Sequence, residues 1–91
     1  MRESAWFPGK EDDMYLITPN AQLVKSTKEL GELLRKKRKD QGLTQAQVAE
    51  HCGLSPRFIS EVERGKTSAE IGKVLYLLET LGVDLIVDTR G

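Results

Sequence analysis

The stretch "LTQAQVAEHCGLSPRFISEVERGKTS", Leu43 to Ser68, decides how this chain folds. Two helix starts lie inside it. Thr44 with Gln47 has the spacing of a capping box, in which each side chain takes the other residue's backbone N–H. Ser55 followed by Pro56 is an N-cap with proline at the first helical position, where no N–H is needed. Between them Gly53 suits a tight turn, because glycine adopts positive φ without steric penalty. Val48, Ala49 and Cys52 share one face of the first helix, and Phe58, Ile59 and Val62 face inward from the second. Two such helices joined by a turn of about three to four residues make a helix-turn-helix, whose second helix fits the DNA major groove.

Outward from this pair the helical pattern continues. Ser26 and Glu29 form a second capping-box spacing, which predicts a preceding helix with Leu30, Leu33 and Leu34 as its apolar stripe and Gly42 as its stop. After the pair, a fourth helix is expected to start at Thr67 or Ser68, with Thr67 and Glu70 as a third box. Ile71, Val74, Leu75, Leu78 and Leu81 form its stripe, and Gly82 ends it. "VDLIVD", residues 83–88, alternates as a strand does, with Val83, Leu85 and Val87 on one face and Asp84, Ile86 and Asp88 on the other. "MYLIT", Met14 to Thr18, is a shorter β-prone run closed by Pro19 and Asn20.

The expected fold is mainly α, a bundle of four to five helices with a short C-terminal strand. Residues 1–13 read as a flexible N-terminal tail, with Trp6 and Phe7 either loosely packed or an anchor on a partner. Residues 14–91 read as one helix-turn-helix DNA-binding domain carrying a dimerisation strand at 83–88.

Composition narrows the function. Ninety-one residues suit one small domain, and 38% hydrophobic with 31% charged residues excludes both a disordered and a membrane chain. No apolar run approaches the roughly 18 residues of a membrane span. The N-terminus lacks an apolar signal core, so a cytoplasmic location is expected. Net charge is zero, yet residues 25–66 carry ten basic and six acidic side chains, net +4. The flanking segments 1–13 and 67–91 are each net −2, with two basic and four acidic residues apiece. A local basic patch matters more for binding nucleic acid than the total.

His51 and Cys52 are adjacent and so point about 100° apart on a helix, which makes them poor co-ligands or catalytic partners. Cys52 belongs with the buried face and His51 with the exposed one. A single cysteine and a single histidine, with no phosphate-cradling glycine loop and no paired carboxylates in a predicted cleft, argue against an enzyme. No cofactor or metal is expected.

The quoted stretch resembles the DNA-binding core of the phage-repressor-like (Cro/C1, XRE) family over about Leu30 to Leu85. The implied architecture is the lambda-repressor-like helix-turn-helix bundle. Within that family, "RFISEVERGKTSAEIGKVLYLLETLGVDL" is most similar to the HipB-type antitoxins, dimeric DNA-binding repressors that partner HipA-type kinase toxins. The resemblance implies an antitoxin of a type II toxin–antitoxin system, repressing its own operon at a palindromic operator in double-stranded DNA. The other readings are a stand-alone repressor without a toxin, and a protein-interaction module that does not read DNA.

Pro56, Arg57, Ser60 and Glu61 fall on the outer face of the second helix of the pair and are the candidates for base contacts. Arg57 can donate two hydrogen bonds to guanine O6 and N7, or it can meet a phosphate instead. Glu61 can accept from cytosine N4 or hold Arg57 in place. Thr44 and Gln45 lie where the resembled family contacts phosphate, at a helix N-terminus that attracts anions. Arg64, Lys66 and Thr67 follow as further phosphate candidates, although Thr67 and Ser68 equally suit capping.

"RKKRK", Arg35 to Lys39, points all round its helix and cannot face DNA as a unit. The resemblance pairs Arg38 with Glu63 in a structural salt bridge. Dimer pairing is assigned to Val83, Leu85, Ile86 and Val87, because an exposed strand edge needs a partner, and the alternative is a strand folded back on its own domain.

Overall fold

The computed structural model describes residues 21–89. The expectations for the tail 1–13, for Trp6 and Phe7 and for Met14–Thr18 lie outside the described residues. Four helices follow in order: α1 Thr27–Asp40, α2 Gln45–Cys52, α3 Pro56–Glu63 and α4 Ile71–Leu81.

Three starts are set by side chains in the local sequence. Ser26 Oγ accepts from Glu29 N at 3.1 Å, and the Glu29 carboxylate reaches one residue past the expected partner to accept from Lys25 N at 2.7 Å. Thr44 and Gln47 close the full capping box, at 3.0 and 2.8 Å. Ser55 Oγ accepts from Phe58 N at 3.0 Å, with Pro56 in the first turn. A cap of this kind contributes about 1 kcal/mol.

The fourth start departs from expectation. α4 begins at Ile71 with Glu70 at the N-cap and no side-chain cap bond, so Thr67 and Ser68 cap nothing. The Thr67–Glu70 spacing imitates a box, but Lys66 N bonds back to Glu61 O at 3.0 Å and closes the end of α3 there.

The core is one cluster to which all four helices contribute. Leu34, Val48, Ala49, Cys52, Ile59 and Val62 meet Val74, Leu77, Leu78 and Leu81. Leu30, Leu54 and Phe58 pack on its rim. The stripe of α4 is rotated from the expected one. Leu77 is fully buried, whereas Ile71 and Leu75, about 120° and 160° from it around a helix of 3.6 residues per turn, are 69% and 44% exposed. α4 is apolar on more than one side, so the sequence alone does not say which side meets α1 and α2.

α1 and α3 cross at Gly31. A Cβ there would meet the backbone oxygens of both Val62 and Glu63, the latter at 2.6 Å, so only glycine allows the approach. Gly65, at φ 88°, lies as close to the backbone of Lys28, and Thr27 Oγ1 donates to Gly65 O at 2.8 Å. These contacts fix the end of α3 to the start of α1.

The C-terminal strand expected over residues 83–88 is not seen in the single chain's described residues. Among the described residues no strand forms, and residues 83–89 are irregular after Val83 N closes the end of α4 on Leu78 O. A strand exists only through a ladder partner, and the segment has none among the described residues. Leu85, Ile86 and Val87 stand 57%, 48% and 80% exposed.

Candidate nucleic-acid interface

The turn between α2 and α3 is Gly53, Leu54 and Ser55. Gly53 takes φ 70°, Leu54 turns into the rim of the core, and Ser55 starts α3. α3 therefore leaves the turn with Ile59 and Val62 locked inward and its other face free. Pro56, Arg57 and Arg64 are exposed there, with Ser60 and Glu61 half-buried beside them. These five fall within one arc of the helix at 100° per residue.

Glu61 organises that face. Its carboxylate accepts from Arg57 Nε at 3.2 Å and from Lys66 Nζ at 3.2 Å. The hydrogen bond from Lys66, then that from Arg57, hold the carboxyl below its ordinary range and outweigh its partial desolvation. Arg57 uses only Nε in this contact, and its side chain is 86% exposed. Its two terminal nitrogens remain available, and that is the pair of donors a guanine edge or a phosphate takes.

Behind the face lies a buried ionic pair. Arg38 donates Nε to Glu63 Oε2 at 2.6 Å and Nη2 to Glu63 Oε1 at 3.0 Å, with side chains 8% and 3% exposed. Arg38 Nη1 also donates to Leu43 O at 2.7 Å, at the entry to α2. One guanidinium thus ties α1 to α3 and to the loop before α2. Burial pushes the Glu63 carboxyl up, but hydrogen bonds from Arg38 and Gln45, with the charges of Arg38 and Arg35, overcome it and hold the group below the usual range. Arg38 is held above its ordinary value, chiefly by its hydrogen bond to Glu63.

The proposed phosphate residues divide. Thr44 stands exposed at the N-cap of α2. Gln45 spends one amide N–H on Glu63 Oε1, at 3.0 Å, and keeps the other. Arg64 and Thr67 are exposed, and Lys66 is exposed but paired with Glu61. The Gln45–Glu63 contact is not written in any spacing, because it depends on the packing of α2 against α3. Cys52 is buried in the core and His51 is exposed, and among the described residues no group of three or more His, Cys, Asp and Glu could hold a metal ion. Among the described residues no helix is long and apolar enough to cross a membrane.

Comparison with known proteins agrees with this geometry. Residues 29–89 match the family model described as helix-turn-helix domain. An uncharacterized HTH-type transcriptional regulator of Sinorhizobium fredii, y4mF, is 43% identical over 71 residues, covering 78% of this chain and 93% of its own. Among solved structures, "HipB-O4 20mer complex" superposes with a TM-score of 0.70 at 20% identity, over 78% of this chain and all of the other. "Structure of HipA-HipB-O2-O3 complex" superposes with a TM-score of 0.69 at 22% identity, over 77% of this chain and all of the other. The solved structures establish the fold, and the family match and the regulator relative establish the kind of protein: the chain belongs to the helix-turn-helix family of DNA-binding transcriptional regulators.

Proposed function

We propose that this protein is a sequence-specific repressor that binds a palindromic operator as a homodimer and serves as the antitoxin to a HipA-type kinase toxin. The observation that carries the DNA half is the outer face of α3, where Arg57 stands exposed with Ser60, Glu61 and Arg64 around it. The α2 N-terminus at Thr44 lies beside it to take a backbone phosphate. Arg57, with Pro56, Ser60 and Glu61, reads base edges. Thr44, Gln45, Arg64, Lys66 and Thr67 set the register on phosphates, which position the protein without carrying sequence information.

The apolar surface supports the dimer. Ile71, Leu75 and Tyr76 on α4 are 69%, 44% and 48% exposed, and Leu85, Ile86 and Val87 extend beyond it. A helix that is apolar on its solvent side expects a partner. Pairing of residues 83–88 between two copies supplies a ladder partner not found among the described residues and covers this face. Two recognition helices about 34 Å apart then match two half-sites one helical turn apart. The antitoxin role is supported by likeness to solved HipB complexes, one of them with HipA.

The test is purification of the protein with its neighbouring gene products. A kinase-like protein retained at fixed stoichiometry is the expected result. A dimer that binds its own upstream DNA but never retains such a protein removes the antitoxin role and leaves a stand-alone repressor.

A further inference from the structure

Helix α1 carries Lys28, Glu32 and Arg35 at i, i+4 and i+7, on one face. That face forms one wall of an open cleft of about 470 Å³, and Gln45, Ser60 and Arg64 form the other. Glu63 lies at its floor, already bonded to Arg38 and Gln45. Three cationic side chains therefore line a cleft whose one uncompensated carboxylate is Glu32. Elsewhere several basic residues are ion-paired: Lys36 with Asp40, Lys73 with Glu70, and Arg57 and Lys66 sharing Glu61. Lys28, Arg35 and Arg64 take part in none of the ion pairs formed among the described residues.

We propose that this cleft receives backbone phosphate of the bound duplex, with Arg35 and Lys28 of α1 as phosphate contacts beyond those of the helix-turn-helix itself. The inference rests on the DNA-reading role given to α3. The cleft shares Ser60 and Arg64 with the reading face and Gln45 with the α2 N-terminus. A duplex whose major groove holds α3 runs one of its two strands along this side. The two new contacts fall outside the recognition helix, so they add affinity and salt dependence without adding sequence choice. Glu32, midway between them, opposes the phosphate and moderates the affinity.

The experiment measures affinity against salt for two duplexes of equal length, one selected from a random pool by the wild-type protein and one scrambled. Arg35→Gln and Lys28→Gln each lower the slope of log K against log salt by about 0.9, on both duplexes alike. Between 50 and 200 mM salt each variant accordingly weakens about 3-fold less than wild type. Glu32→Gln tightens both duplexes, and the ratio of selected to scrambled affinity is unchanged in all three. Thermal melts confirm that each exposed substitution leaves the fold intact, and the two single variants report independently. Unchanged slopes in Arg35→Gln and Lys28→Gln, with Arg57→Ala still relaxing sequence choice, overturn the cleft and leave the reading face standing. A folded wild type that selects no sequence and binds neither duplex overturns both.

Discussion

Replacing Arg38 with methionine removes one half of the buried pair and leaves Glu63 with a single donor, Gln45. The Glu63 side chain is 3% exposed, so water does not reach it to compensate. Breaking a buried pair in this way costs about 3–5 kcal/mol, because the remaining charge keeps its desolvation penalty. A domain of this size has a total stability of roughly 5–14 kcal/mol, so the variant loses a large fraction of it.

The double variant Arg38→Met/Glu63→Leu is the informative companion. It removes both charges and leaves only Leu43 O and the Gln45 amide short of a partner, at about 1–3 kcal/mol for a buried polar group. It is therefore more stable than the single variant despite carrying one more substitution. Urea unfolding followed by circular dichroism measures both, with the midpoint shifting and the slope m retained. A loss below about 1 kcal/mol in Arg38→Met would show that water solvates Glu63. A double variant weaker than the single would show that the pair contributes net attraction rather than avoided cost.

Further predictions come from the same contacts. In the wild type Glu63 has a folded-state pKa below the unfolded carboxyl value of about 4.3, so its contribution is complete above that pH and is lost as pH falls through and below it. In Arg38→Met the burial effect prevails, the carboxyl rises, and stability instead falls as pH rises through about 4.3; urea midpoints between pH 3 and 6 report the reversed slope. Gly31→Ala gains up to about 1 kcal/mol in helix propensity but forces α1 from the backbone oxygens of Val62 and Glu63, at about 1–3 kcal/mol. Its melting temperature is therefore lowered, and a raised value would show that the two helices separate freely. Ile71→Glu with Leu75→Glu keeps the monomer fold, since both side chains are exposed in one chain, and shifts sedimentation to the monomer if this face is the dimer contact. A variant that remains dimeric places the contact elsewhere.

What the sequence disclosed was local. The caps at Ser26, Thr44 and Ser55 are visible because donor and acceptor lie three residues apart, and no tertiary contact is needed to complete them. The helix-turn-helix was legible for the same reason, since its turn is three residues long and Gly53 marks it. The α4 start failed because a capping-box spacing states only that a cap is available, while the preceding residues were already bound to the end of α3. The stripe of α4 was misread because Ile71 and Leu75 are as apolar as Leu77, and burial is decided by the neighbours. Gly31 gave no signal, because a glycine within a helix looks unfavourable until the crossing it permits is known. In the site, the outward face of α3 followed from periodicity. The bond from Gln45 to Glu63 did not, because it joins residues 18 positions apart.

The central claim is that α3 reads sequence. Equilibrium affinity for a duplex selected by the protein itself, set against a scrambled duplex at one fixed salt concentration, tests it most directly. The account predicts a ratio of about 10³ or more, falling by roughly 1–3 kcal/mol in Arg57→Ala at the base pair that Arg57 meets. Equal affinity for the two duplexes, unchanged by Arg57→Ala, would contradict it.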